Sequence, residues 1–91
     1  MITAKTNDGF AVELDENAMD YVLLEDVALM QQDGTKLFAV VDRFLGKENK
    51  ARLLEHLADQ NGRVPLEAVS DAIGELMSSF QDGKNSASSP D

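Results

Sequence analysis

The chain has no cysteine. That excludes a disulfide framework, a thiolate zinc or iron–sulfur site, and a cysteine nucleophile. Long apolar runs are missing as well. The longest spans five residues, 37–41, against the roughly 20 that a membrane-spanning helix needs. The first residues lack the basic-then-apolar layout of a secretory signal, so the expectation is a protein that stays in the cytoplasm where it is made. Basic residues are scarce: 8 Lys and Arg stand against 17 Asp and Glu, for a net charge of −9. Such a surface repels a phosphate backbone, which argues against nucleic acid as a partner. Histidine occurs once, at His56.

What remains is 91 residues, 43% apolar and 27% charged, the composition of one globular domain rather than a disordered chain. A chain of this size buries only about 60–65% of its unfolded surface, so a partner or self-association would add to a thin margin. The charge is uneven. Residues 1–34 hold eight acids and one base; residues 35–63 hold four acids and six bases; residues 64–91 hold five acids and one base. Only the middle is net positive, and its dispersed bases suit a solvated helix face.

The pattern predicts a mainly α fold: a small four-helix domain over residues 1–80 with a short N-terminal β-hairpin and a disordered tail. The hairpin covers about 2–14. Phe10, Val12 and Leu14 alternate at strand period, and Asn7-Asp8-Gly9 forms the turn. Asp15 is the expected N-cap of a first helix over about 16–32, stopped by Asp33-Gly34. Thr35 is expected to cap a second helix, about 36–45, with Leu37, Val40, Val41, Phe44 and Leu45 on one face and Gly46 closing it. A third, about 47–60, turns Leu54 and Leu57 inward with Leu53 at the edge. Pro65 opens a fourth, about 65–81, whose stripe is Val69, Ile73, Leu76, Met77 and Phe80. Gly74 in its interior suggests a close packing contact. Residues 81–91, QDGKNSASSPD, carry no large apolar side chain and read as a flexible tail.

The first helix is apolar nearly all round. Met19, Leu23, Val27 and Met30 form one line, Tyr21, Leu24 and Ala28 a second, and Ala18, Val22 and Leu29 a third. Such a helix is either central in the core or sits at an interface.

No local pattern supports chemistry. Asp59-Gln60-Asn61-Gly62-Arg63-Val64 resembles the middle of a calcium loop, but placing Gly62 sixth puts Leu57 first and Ala68 twelfth, neither with a side-chain oxygen. A helix end followed by a helix start explains it better. His56 has no partner histidine at a metal-ligand spacing, and neighbouring acids such as Glu25-Asp26 point different ways on a helix. Acyl carrier proteins are small, acidic and helical, but they carry their cofactor on a serine in Asp-Ser-Leu at the start of the second long helix; here Ser70 lies within a helix as Val-Ser-Asp. A phosphate-binding glycine loop is absent. The expectation is a protein with no enzymatic activity, no metal and no cofactor.

Two segments point elsewhere. One is Leu37-Phe38-Ala39-Val40-Val41-Asp42-Arg43-Phe44-Leu45-Gly46-Lys47-Glu48, leading through Leu53-Leu54-Glu55-His56-Leu57 into Asp59-Gln60-Asn61-Gly62-Arg63-Val64. The other is the ending Gly83-Lys84-Asn85-Ser86-Ala87-Ser88-Ser89-Pro90. In their order, over about residues 16–90, they resemble the tail assembly chaperones of long-tailed, non-contractile bacteriophages. The resemblance implies a protein of the host cytoplasm, absent from the mature virion, that binds the phage tape measure protein, keeps it soluble and helps recruit tail tube protein. It also implies, in many such phages, a longer frameshifted form with an added C-terminal domain, which a flexible 81–91 would suit.

The expected partner surface is the first helix, at Tyr21, Leu24, Leu29 and Met30, with self-association as a further use of apolar surface; neither nucleic acid nor membrane is expected as a partner. A different reading is an acidic decoy that mimics DNA and binds a host nucleic-acid-binding protein. It would need the acids at 8, 13, 15, 16, 20, 25, 26 and 33 to form rows at phosphate-like spacing.

Overall fold

The structure, a computed structural model, describes residues 1–87 and the side chains of residues 1–84. Two strands, β1 (Ile2–Lys5) and β2 (Ala11–Leu14), pair antiparallel with Ile2 opposite Leu14 and Lys5 opposite Ala11. Gly9 at φ 95° closes the three-residue turn, and Thr6 N–H donates to the Phe10 carbonyl at 2.8 Å. Alternation puts Ile2, Ala4, Val12 and Leu14 inside. Three helices follow: α1 (Tyr21–Leu29), α2 (Lys36–Leu57) and α3 (Leu66–Ala87). The mainly helical fold with a two-stranded hairpin is as expected; the number of helices is three, not four.

The difference lies at Gly46. The expected second and third helices are the two arms of α2, bent where Gly46 takes φ 77° and ψ 174°. Gly46 interrupts the helical geometry at the position expected, and the two arms run on from each other with no intervening loop. The second arm ends at Leu57 rather than 60, because the Asp59 carboxylate accepts from the N–H groups of Asn61 and Arg63 and closes a tight turn. Leu53 is its fully buried residue, while Leu54 and Leu57 are half-buried, the reverse of the expected facing. The bend at Gly46 rotates the second arm and so changes which residues face the core. Thr35 makes no side-chain cap; Asp33 does the local bonding, accepting from the Thr35 N–H and hydroxyl.

The first helix is nine residues, not the seventeen of 16–32. Asp15 caps nothing: its carboxylate accepts from Asn17 N–H and holds a turn. Asp20 is the N-cap, accepting from Leu23 N–H at 2.9 Å. Asp15, Asn17 and Asp20 within six residues favour turns and caps over helix interior, so the later cap sets the start.

At the other end α3 runs through Ala87, past the helix end expected near 81; the rest of the expected tail, residues 88–91, lies outside the described residues. Tertiary contact explains the extension. Phe80 is fully buried, Gly83 passes so close to Ile2 that a Cβ there would stand 2.9 Å from its Cγ2, and Lys84 Nζ reaches the Glu16 carbonyl at 3.4 Å. Gly83, and not Gly74, is the glycine in close contact; Gly74 is exposed with open space around it.

The hairpin lies on α3 through β1, and α2 packs on α1, α3 and β2. One cluster of buried residues joins all five elements, with Phe44 and Phe80 edge-to-face at 5.9 Å near its centre. The second arm of α2 also clasps the hairpin. Asn49 Nδ2 donates to the Glu13 carbonyl at 3.3 Å, Arg52 Nη2 to the Ala11 carbonyl at 3.1 Å, and His56 Nε2 lies 2.8 Å from Asp8 Oδ2.

Candidate interaction surface

The three apolar lines of α1 have different fates. Leu23 is fully buried, and Met19, Val27 and Met30 pack against the core beside it. The opposite side is open: Tyr21 is 76% exposed and Leu24 47%, with Val22 and Leu29 also on the surface. Tyr21 and Leu24 are three residues apart and share a face. Of the four expected partner residues, the structure therefore groups Tyr21 with Leu24, sets Leu29 on a neighbouring line, and turns Met30 partly inward. Arg43 Nε, 3.6 Å from Asp26 Oδ2, helps pin α1 to α2 without covering that face.

Two exposed apolar residues escaped the sequence reading. Phe38 is 62% exposed and Leu66 60%. Phe38 lies off the buried stripe of α2, one position past Leu37; Leu66 is in phase with the buried Val69 and Ile73 but is the first residue of α3, at the open end of that stripe. For Phe38 the available signal was an apolar residue out of phase with its stripe; for Leu66 periodicity gave none.

The acids of the first third are largely engaged in local structure. Asp15, Asp20 and Asp33 hold turns or caps, Glu16 meets the N-terminal amine at 3.4 Å, Asp26 pairs with Arg43, and Asp8 pairs with His56. A carboxylate committed to a backbone N–H or a base does not stand in a free phosphate-like row, which weakens the decoy reading.

His56 is part of a junction. Phe10 stacks on it at 4.8 Å, the Arg52 guanidinium lies 5.3 Å from the Phe10 ring centre, and Asp8 accepts from its ring nitrogen. Hydrogen bonds from the Thr6 hydroxyl and from His56 hold the Asp8 carboxyl down, at about 2. This arrangement ties the hairpin turn to α2. Ser79 accepts from Lys5 N–H at 2.9 Å and is likewise structural. Among the described residues no group of three or more His, Asp or Glu is placed to hold a metal ion, and no helix is long and apolar enough to cross a membrane.

The open side of α1 offers contact area: an aromatic and a leucine side by side on a short helix fixed from behind, within an acidic chain. No family model, no curated protein and no solved structure matches this chain.

Proposed function

We propose that this protein is a non-catalytic tail assembly chaperone of a long-tailed, non-contractile bacteriophage, which binds the tape measure protein through α1, keeps it soluble and helps recruit tail tube subunits. The observation that carries the reading is the open Tyr21–Leu24 face on a helix whose opposite line is packed into the core. The order of segments in the chain, which resembles that family, supplies the partner.

The physics suits the role. A long helical client with unpaired apolar stripes is aggregation-prone until a complementary apolar face covers them. Burying an exposed Tyr or Leu stabilises a complex by about 1.5–3 kcal/mol each. Met30, at the margin of the face, adapts to an imperfect partner surface. The net charge of −9 keeps the resulting complexes apart from one another.

Co-expression with the tape measure protein of the same genome tests the proposal. The expected result is that the tape measure protein becomes soluble only with this chain present, and that the two co-elute in high salt. Tyr21→Asp with Leu24→Asp should abolish co-elution and leave the circular dichroism spectrum unchanged, since both side chains are exposed. A tape measure protein whose solubility ignores this chain refutes the role, and capture of a host nucleic-acid-binding protein that is lost with salt would favour the decoy.

A further inference from the structure

Phe38 and Leu66 flank two clefts away from the Tyr21–Leu24 face, and Leu37 and Leu66 line both. The first, about 200 Å³, is walled by Phe38, Val41, Leu54 and Val64, with Lys50 as its one charged side chain. The second, about 370 Å³, leads from Leu66 toward Met30 and carries Glu67. They adjoin through Leu37 and Leu66 and make one track, apolar in the first cleft and mixed in the second, with opposite charges toward its ends. Lys47, Lys50 and Asp42 line the recess beyond Leu54, which leaves Lys47 as its net positive charge, and Glu67 lies on the far cleft. Lys50 is paired with Asp42 at 2.8 Å; among the described residues neither Lys47 nor Glu67 has an ion-pair partner. The apolar cleft is smaller than the roughly 300–1,000 Å³ of small-molecule sites, and its size suits one or two side chains.

The geometry points to a two-fold homodimer in which Phe38 and Leu66 of each copy enter the apolar cleft of the other, with the basic end of one track against the acidic end of its mate. A two-fold axis across the track reverses it. A patch that is basic at one end and acidic at the other is then complementary to its own copy. Each copy supplies both the protruding side chains and the recess that receives them. Two chains of net −9 repel at most orientations, so a local register of opposite charges selects this one. Burial of the track also adds apolar area to a chain whose own core is small. The dimer contacts use neither Tyr21 nor Leu24 and meet the proposed client face only at Met30, so substitutions at Tyr21 and at Phe38 separate the two roles.

Sedimentation velocity of the full chain, up to about 100 μM, tests it at the scale where micromolar association registers. The expected result is a reversible dimer. Phe38→Asp or Leu66→Asp should weaken it about 100-fold. Both positions are exposed, and an acid in the first turn of α3 suits the helix N-terminus, so folding is retained and is checked by circular dichroism. Lys47→Glu alone, or Glu67→Lys alone, should weaken the dimer about fivefold, and the two together should restore it. Tyr21→Asp should leave it unchanged. A wild-type chain that stays monomeric overturns the proposal. So does a dimer that ignores Phe38→Asp, one that is lost with Tyr21→Asp, or a double charge reversal weaker than either single one.

Discussion

Replacing Gly46 by alanine isolates the backbone cost of the bend in α2. At φ 77° and ψ 174° Gly46 occupies a region that is essentially closed to residues with a Cβ. A Cβ built there meets no atom within 4 Å, so crowding contributes nothing and the penalty is conformational alone. Its size is about 1–3 kcal/mol. Against a total stability of roughly 5–13 kcal/mol for a chain of this length, that is a large share. At about 4–8 °C per kcal/mol the midpoint of thermal unfolding should fall by about 10 °C. Gly74 is the control. It is also exposed, also without neighbours to a Cβ, and lies inside α3 with ordinary helical geometry. Gly74→Ala should therefore stabilise by about 0.5–1 kcal/mol and raise the midpoint. A D-alanine at position 46, introduced by chemical synthesis, should be tolerated, because the mirror-image residue accepts positive φ. Thermal melts followed by circular dichroism give the comparison. If Gly46→Ala raises the midpoint as Gly74→Ala does, α2 is a straight helix through position 46 and the reasoning fails.

Two further tests address the core and the hairpin junction. Leu53→Ala should cost about 2–5 kcal/mol in urea unfolding, and Leu54→Ala distinctly less, since Leu53 is fully buried and Leu54 only half; equal losses would refute the facing of the second arm of α2. The Asp8 carboxyl, held at about 2 against an ordinary 3.8, contributes stability that is complete above 3.8 and is lost as pH falls from there through 2. Its carboxyl carbon, followed by NMR, should titrate near 2 in the wild type and move upward in Thr6→Val; a wild-type midpoint near 3.8 would show that the Thr6 and His56 contacts do not form.

Much of the architecture was legible in residue order. The hairpin with its Asn7-Asp8-Gly9 turn, the stripe of α3 and the buried set of the first arm of α2 follow from period and turn chemistry, which act over a few residues. The α1 lines were legible too, but not which of them faces outward: three apolar lines on one helix give no local reason to bury Leu23 and expose Tyr21. The same ambiguity hid Phe38 and Leu66, whose openness depends on where neighbouring elements stop. Two aspartates five residues apart, Asp15 and Asp20, compete for one cap, and the sequence favours neither.

By itself, then, the sequence determined the element types, their order, the turn residues and the absence of thiol chemistry, because these depend on local propensity and composition. Tertiary structure alone decided three things. Packing of the second arm of α2 turned Leu53 inward and left Leu54 and Leu57 half-buried. Packing of β1 on α3, with Gly83 against Ile2, carried the helix through a polar stretch that composition assigns to a tail. The approach of α2 to one side of α1 left Tyr21 and Leu24 uncovered. Each rests on contacts between residues far apart in the chain, and those energies appear only once the chain has closed on itself.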